Sequence, residues 1–168
     1  GLIHDFGKIL YLKGCDSDGT SESTQWGIVG DTFVVGCKIP DTIVYPEYNN
    51  LNKDNYDSMG IYQKNIGLSN VYCSFGHDEY LYQLLKFNQV DLPVEAYYMI
   101  RFHSLYLWHD KNEYSFLENE DDIKYKPYVK LFNKYDLYTK DKDNKNISEL
   151  KEYYYNLVKK FIPKNIYW

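Results

Sequence analysis

The chain has few cysteines and no long apolar run. Its three cysteines, Cys15, Cys37 and Cys73, are widely spaced and form no Cys-x-x-Cys pair. The spacing excludes a disulfide framework and a structural zinc site built from paired cysteines. No stretch reaches the ~20 apolar residues of a membrane span, and no signal-peptide pattern is present. We therefore expect a cytoplasmic protein that does not contact membranes.

Clustered positive charge and the common nucleotide motifs are also missing. Lys and Arg number 19 against 24 Asp and Glu, which gives a net charge of −5. Binding to nucleic acid or to anionic lipid needs clustered basic residues. P-loop, dinucleotide and nucleophile-elbow patterns do not occur. We expect neither nucleic acid nor a membrane as a partner, and we expect a monomer.

Apolar and aromatic residues are abundant instead. They make up 44% and 18% of the 168 residues, and 20 residues are tyrosine. This composition argues against disorder, and a chain of this length buries roughly two thirds of its unfolded surface as one domain. We expect residues 1–168 to form a single domain, with many tyrosine rings inside and their hydroxyls at the margin of the core.

Helical periodicity dominates the second half of the sequence, whereas residues 38–70 are rich in Gly, Pro, Asn and Asp and predict no regular element. No strand pattern competes with the helices. The fold class is therefore predicted as all-α, with long irregular connections in the first half. The predicted helices are 2–13, 74–88 with Ser74 as cap, 92–108, 123–139 with its regular part from Pro127, and 148–162 capped within Asn146-Ile147-Ser148.

Four polar residues carry the chemical interpretation. His77 and His103 have apolar neighbours at helical spacing, so both imidazoles are predicted to point inward. Asp136 shares its helical face with Val129 and Phe132, and a buried carboxylate needs a cation or a metal. His4 is the fourth of these residues, and the adjacent Asp5 is a fifth candidate. Histidines and carboxylates that converge between helices suit iron, manganese or zinc.

Each of these residues also has a simpler interpretation. A single buried histidine is more often a hydrogen-bonded core residue than a ligand, and Asp136 could pair with Lys140. Lys8 lies one helical turn from His4 and could face a substrate or solvent. Asp31 follows a glycine, which is ordinary turn chemistry. His109 precedes Asp110-Lys111-Asn112 and is predicted to lie at an exposed helix end.

Five blocks of the sequence resemble successive blocks of the myo-inositol oxygenase family, in family order and over nearly the whole chain. A lone His-Asp pair is shared with the wider HD-domain phosphohydrolases, but GHDEY, MIRFHS and DLYTK together are specific. The blocks are LIHDFGK (2–8), QWGIVGDTFVVGC (25–37), GIYQKNIGLSNVYCSFGHDEYLYQ (60–83), LPVEAYYMIRFHSLYLWH (92–109) and FNKYDLYTK (132–140).

The resemblance implies an HD-domain-like helical bundle around a buried, mixed-valent di-iron site. The family activity would be ring-opening oxidation of myo-inositol by O2 to D-glucuronate, with Lys8 as a catalytic residue that stabilises the substrate alkoxide. The implied iron ligands are His4, Asp5 as the bridging carboxylate, His77, His103 and Asp136. The implied substrate contacts are Lys8, Asp31, Ser104 and Lys140.

The sequence departs from the family pattern at one important point. The family has a further iron-ligating histidine upstream of the His-Asp pair, together with an N-terminal region, and this sequence includes neither. We therefore expect either a piece of a longer protein or the product of a truncated gene. Two alternatives to the oxygenase stay open: an HD-type metal-dependent phosphohydrolase and a non-catalytic remnant of the oxygenase.

Overall fold

A computed structural model describes residues 1–21, 26–137 and 146–168. The described chain is mainly helical, and the predicted all-α class is confirmed. Its only strands in these ranges are two residues long, β1 (Val34–Val35) and β2 (Tyr72–Cys73), and they pair antiparallel. The α-helices are α1 (Leu10–Lys13), α2 (His77–Phe87), α3 (Val94–Phe102), α4 (Tyr106–His109), α5 (Glu120–Asp136) and α6 (Ile147–Phe161).

The first half contains only short elements, as its composition predicts. Besides α1 and β1 it has short 3₁₀ segments, of which the longest is Pro46–Leu51. The helix predicted over residues 2–13 is wrong in part, because residues 2–5 form a turn and Phe6–Ile9 form a 3₁₀ segment before α1. His4 and Asp5 therefore lie on a turn.

Helix α3 lies in the middle of the fold and packs against both α2 and α5. One cluster of buried apolar residues surrounds Phe102, Leu105 and Trp108, which are at most 2% exposed. A second cluster joins α2 to α3 through Leu81, Ile100 and their neighbours. Each such side chain contributes roughly 1.5–3 kcal/mol when it is fully buried. The two clusters fix the ends of α2, α3 and α5 relative to one another.

Three predicted helix boundaries were wrong, each for a local reason. Ser74 does not cap α2, which begins after Gly76 with no side-chain cap from its own segment. The helix predicted over 92–108 breaks after Phe102, and α4 begins at Tyr106. Helix α5 starts seven residues before Pro127, because Asn119 and Asp122 exchange side-chain bonds to backbone N–H groups in a capping box.

The predicted cap of the last helix is confirmed. The Asn146 side chain accepts a bond from the Ser148 N–H at the start of α6. Helix α6 has no buried residue and lies on the outside of the fold. No helix in the described ranges has the length and apolar character needed to cross a bilayer.

Candidate metal centre

Four separate segments bring their histidines and carboxylates to one place. His77 is the first residue of α2, His103 follows the last residue of α3, and Asp136 is the last residue of α5. His4 and Asp5 come from the N-terminal turn. Gly7 lets this turn lie against α2, because a Cβ atom at Gly7 would overlap the His77 carbonyl. The residues predicted as ligands from the sequence therefore meet in the structure.

Asp5 stands between the other groups. Its Oδ1 atom lies 3.0 Å from the Nε2 atom of His77 and 3.6 Å from that of His103. Its Oδ2 atom lies 3.7 Å from the Nε2 atom of His4. On that second side, His4 Nε2 is 2.8 Å from Asp136 Oδ1. The two oxygens of one carboxylate thus face two different sets of side chains.

Backbone carbonyls fix the orientation of all three imidazoles. The Nδ1 atoms of His4, His77 and His103 lie 2.6, 2.8 and 2.9 Å from the carbonyl oxygens of Gly1, Val29 and Ile100, respectively. A carbonyl oxygen only accepts, so each Nδ1 carries the hydrogen. The neutral ring then presents its Nε2 lone pair to the centre. Metal-binding histidines are commonly held in this way by a second hydrogen bond.

The centre contains buried polar atoms that no described residue satisfies. When the rings are neutral, with their hydrogen on Nδ1, the buried atoms His4 Nε2, Asp5 Oδ1, His77 Nε2 and Asp78 Oδ1 face only other acceptors and receive no hydrogen bond. Leaving such atoms without a partner costs about 1–3 kcal/mol each. Two sets of three side chains have geometry suited to holding an ion, namely His4, Asp5 and His103, and His77, Asp78 and His103. The residues present therefore fit a bound cation, and the donors are all nitrogen or oxygen.

The electrostatics of the centre agree with this interpretation. The pKa of Asp5 is held well below its usual range, first by its bond to His103 and then by Lys8. Burial opposes protonation of His103, but its bonds to Asp5 and Asp78 outweigh burial and raise its pKa to about 10. The carboxylates thus draw a positive charge to the position between them. A proton on His103 supplies that charge when no ion is bound, and a bound cation would displace this proton.

Two of the predicted substrate residues, Lys8 and Ser104, are neighbours of ligand candidates of this centre. The Nζ atom of Lys8 is 2.7 Å from Asp5 Oδ2, and its side chain is 40% exposed, so it remains accessible. Ser104 directly follows His103 and is buried. It lies against the 30–31 loop, since a Cβ atom at Gly30 would come within 2.5 Å of its Oγ atom. Lys140 lies outside the described residues.

Asp31 has a structural environment that the sequence did not indicate. It is 1% exposed, and its carboxylate accepts bonds from the N–H groups of Gly76 (2.9 Å) and Glu79 (2.8 Å). Asp31 thus caps α2 from a position 45 residues earlier in the chain. Burial, together with the nearby Asp78 and Glu79 charges, raises the pKa of Asp31. Its role as a substrate contact stays a prediction.

The structure overturns one expectation and adds one residue. His109 is not at an exposed helix end: it is 1% exposed, and its Nε2 atom lies 3.0 Å from the His103 carbonyl. Its apolar neighbours Leu105 and Trp108 could have indicated this burial. Asp78 was missed as a candidate. It is fully buried beside the two histidines, and the His-Asp pair at the start of α2 was the available signal.

The fold and the centre define an all-helical protein with a candidate histidine–carboxylate metal site. The profile of the family described as myo-inositol oxygenase matches residues 1–168. Curated proteins named inositol oxygenase are similar over the whole chain, with 46% identity in Dictyostelium discoideum, 44% in Sus scrofa and 42% in Homo sapiens. The chain belongs to the myo-inositol oxygenase family. It spans 58–59% of the length of these relatives.

Proposed function

We propose that this protein is a di-iron oxygenase that converts myo-inositol and O2 to D-glucuronate by cleaving one ring C–C bond. The observation that carries the proposal is the convergence of three imidazole Nε2 atoms on the Asp5 carboxylate, with buried lone pairs that lack partners. The relatives are named for an activity on inositol, which agrees with this centre. We further propose that the protein acts in the cytoplasm as a monomer.

Asp5 would bridge the two ions. One ion would be held by Asp5, His77 and His103, and the other by Asp5, His4 and Asp136, the sets that the distances around Asp5 separate. Imidazole and carboxylate donors without thiolates suit non-haem iron. When bound as a mixed-valent pair, iron supplies the redox chemistry with O2, which no side chain of the centre provides. Opening the ring consumes one O2 and yields glucuronate and one water.

Lys8 would stabilise the substrate oxygen that loses its proton. Its ammonium group lies at the edge of the centre, 2.7 Å from Asp5 Oδ2, and is partly exposed. A positive charge at that place lowers the pKa of a neighbouring hydroxyl group. This effect on the substrate hydroxyl would make Lys8 a catalytic residue. Ser104 and the Gly30–Asp31 loop would orient the polyol.

The 30–31 loop is well placed for such a role because it is rigidly held. Asp31 binds the first turn of α2 through both carboxylate oxygens, and its own N–H donates to Asp78 Oδ2 over 2.6 Å. The loop is therefore fixed to the same helix end that presents His77. A polyol held by this loop would keep a constant position relative to His77, which is what an oriented reaction requires.

Product formation from labelled oxygen tests the proposal. The chain is loaded with Fe(II) without oxygen, given myo-inositol, and exposed to ¹⁸O2. We expect glucuronate that carries one ¹⁸O atom in its carboxylate, and we expect Asp5→Asn to abolish it. Asp110→Asn is the matched control, because Asp110 is exposed and its one ion pair among the described residues is with Lys111. Hydrolysis of a phosphate ester without O2 consumption would support the phosphohydrolase, and iron binding without either product would support the remnant.

A further inference from the structure

His109 is a buried histidine that the proposed mechanism does not use. It is the last residue of α4, and only 1% of it is exposed. Its Nε2 atom lies 3.0 Å from the carbonyl oxygen of His103, six residues earlier in the chain. A carbonyl oxygen only accepts, so Nε2 of His109 carries a hydrogen and donates it across the break between α3 and α4.

This bond gives a partner to a carbonyl that the break leaves open. The carbonyls of Phe102, Ser104 and Leu105 accept backbone N–H groups over 3.0, 2.8 and 2.9 Å, respectively. The His103 carbonyl differs from these three, because its partner among the described residues is a side chain, the His109 ring. The last carbonyls of a helix have no partner within the helix, and a buried carbonyl without a partner is unfavourable. The His109 ring therefore completes the break after Phe102.

The carbonyl that His109 holds belongs to the peptide group between His103 and Ser104. A peptide group is planar, so a bond to its oxygen also fixes the direction in which the chain continues to Ser104. Ser104 is buried, and its Oγ atom lies beside Gly30, where an added Cβ would come within 2.5 Å of it. None of the described residues forms a hydrogen bond with this hydroxyl group. Its position therefore depends on the backbone that His109 holds.

We propose that His109 is a positioning residue, which holds the Ser104 hydroxyl group against the 30–31 loop for contact with the substrate polyol. The proposal rests on the proposed function in one respect, the contact between Ser104 and the substrate. His109 acts through a peptide group, so the site requires its N–H donor and not its ability to ionise. A side chain that keeps an N–H donor at this place should keep the geometry, and an apolar ring of similar shape should lose it.

A double-mutant cycle on the iron-loaded chain tests the proposal, with every rate expressed per bound iron. We expect His109→Phe to lower kcat/KM for inositol roughly 10–100-fold, because a contact misplaced by about 1 Å costs up to about 100-fold. Ser104→Ala removes the contact itself. If His109 acts through Ser104, adding His109→Phe to Ser104→Ala should cause little further loss, since residues that act on one interaction do not have additive effects.

Two further variants separate positioning from a general loss of stability. His109→Gln should restore most of the activity, because its amide can donate near the place of the His109 Nε2 atom. Tyr98→Phe is the matched control. It also removes a hydrogen bond of the same region, the one from α3 to Asp122, but it leaves the break after Phe102 intact. We expect Tyr98→Phe to keep the kcat/KM of the wild-type chain.

Crystal structures of the same variants keep the result apart from the proposed activity. In His109→Phe we expect the Ser104 Oγ atom to move away from Gly30, and in Tyr98→Phe we expect it to stay. An unmoved Ser104 in His109→Phe, or losses of kcat/KM that multiply in the double variant, would overturn the proposal. A wild-type chain that forms no glucuronate contradicts the oxygenase, and the position of Ser104 then decides alone. If His109→Phe does not fold, His109→Asn replaces it, because its shorter amide cannot reach the carbonyl.

Discussion

Replacing Asp31 by alanine should destabilise the fold even without substrate. The change removes both acceptors of the Gly76 and Glu79 N–H groups, which begin α2. Both bonds are buried. A lost N-cap costs about 0.5–2 kcal/mol, and each buried donor left without a partner costs about 1–3 kcal/mol. We therefore expect Asp31→Ala to lower the free energy of unfolding by about 2–4 kcal/mol.

Urea unfolding followed by circular dichroism measures this change. The midpoint should fall while the slope stays constant, since the surface exposed on unfolding is nearly the same. In a thermal scan the same loss corresponds to roughly 5–15 °C for a domain of this size. Asp31→Asn should cost less than Asp31→Ala, because the amide keeps one acceptor oxygen. The burial that raises the pKa of Asp31 acts in the same direction, since it lowers the cost of a neutral side chain.

An exposed acid provides the control for this experiment. Asp41→Ala removes a carboxylate that is 71% exposed and makes two long contacts, with Lys38 at 3.5 Å and Asn49 at 3.4 Å. Substitutions of this kind usually change stability by less than about 0.5 kcal/mol. If Asp31→Ala shifts the unfolding free energy no more than Asp41→Ala does, Asp31 does not hold the start of α2. The 30–31 loop would then not be fixed to the centre through Asp31.

Three further predictions follow from the same geometry. Arg101→Met should lower the unfolding free energy by about 3–5 kcal/mol in urea, because the buried Glu79 carboxylate loses its cationic partner at 2.5 Å and keeps only the Gln83 amide among the side chains described. A loss below about 1 kcal/mol would contradict this. Lys8→Met should reduce kcat/KM for inositol roughly 100-fold in a glucuronate assay. Lys8→Arg should keep partial activity, and the exposed control Lys111→Met should keep full activity. Fe(II) at 100 times its dissociation constant should stabilise the chain by about 2.7 kcal/mol for each bound ion in a thermal scan. A chelator should reverse this effect, and equal melting with and without iron would disprove it.

The sequence predicted the parts of the fold that depend on local patterns. Helices α2, α3, α5 and α6 follow from apolar residues at helical spacing. The same spacing predicted that His77 and His103 point inward, and both are buried. Such a pattern shows which face of a helix is buried against the rest of the protein, because a buried face must be apolar along its length. It therefore also indicated that the polar residues on that face have partners.

Features that depend on distant segments could not be predicted in this way. The cap of α2 comes from Asp31, far back in the chain, and no local motif marks such a contact. The break after Phe102 occurs in a continuous apolar stretch, so periodicity carried the predicted helix through it. His109 is buried, and its ring donates to the His103 carbonyl across that break, which satisfies one buried polar atom. Asp78 follows His77 directly, and only its burial distinguishes it from a solvated acid at a helix start.

The bridging role proposed for Asp5 between two iron ions can be read from one spectrum of the iron-loaded chain. The chain is loaded anaerobically with ⁵⁷Fe(II), partly oxidised, and examined by Mössbauer spectroscopy. We expect two bound irons per chain that are magnetically coupled through the bridging carboxylate, with the coupling lost in Asp5→Asn. Uncoupled iron in the wild-type chain, or coupling that persists in Asp5→Asn, would contradict the bridging role assigned to Asp5.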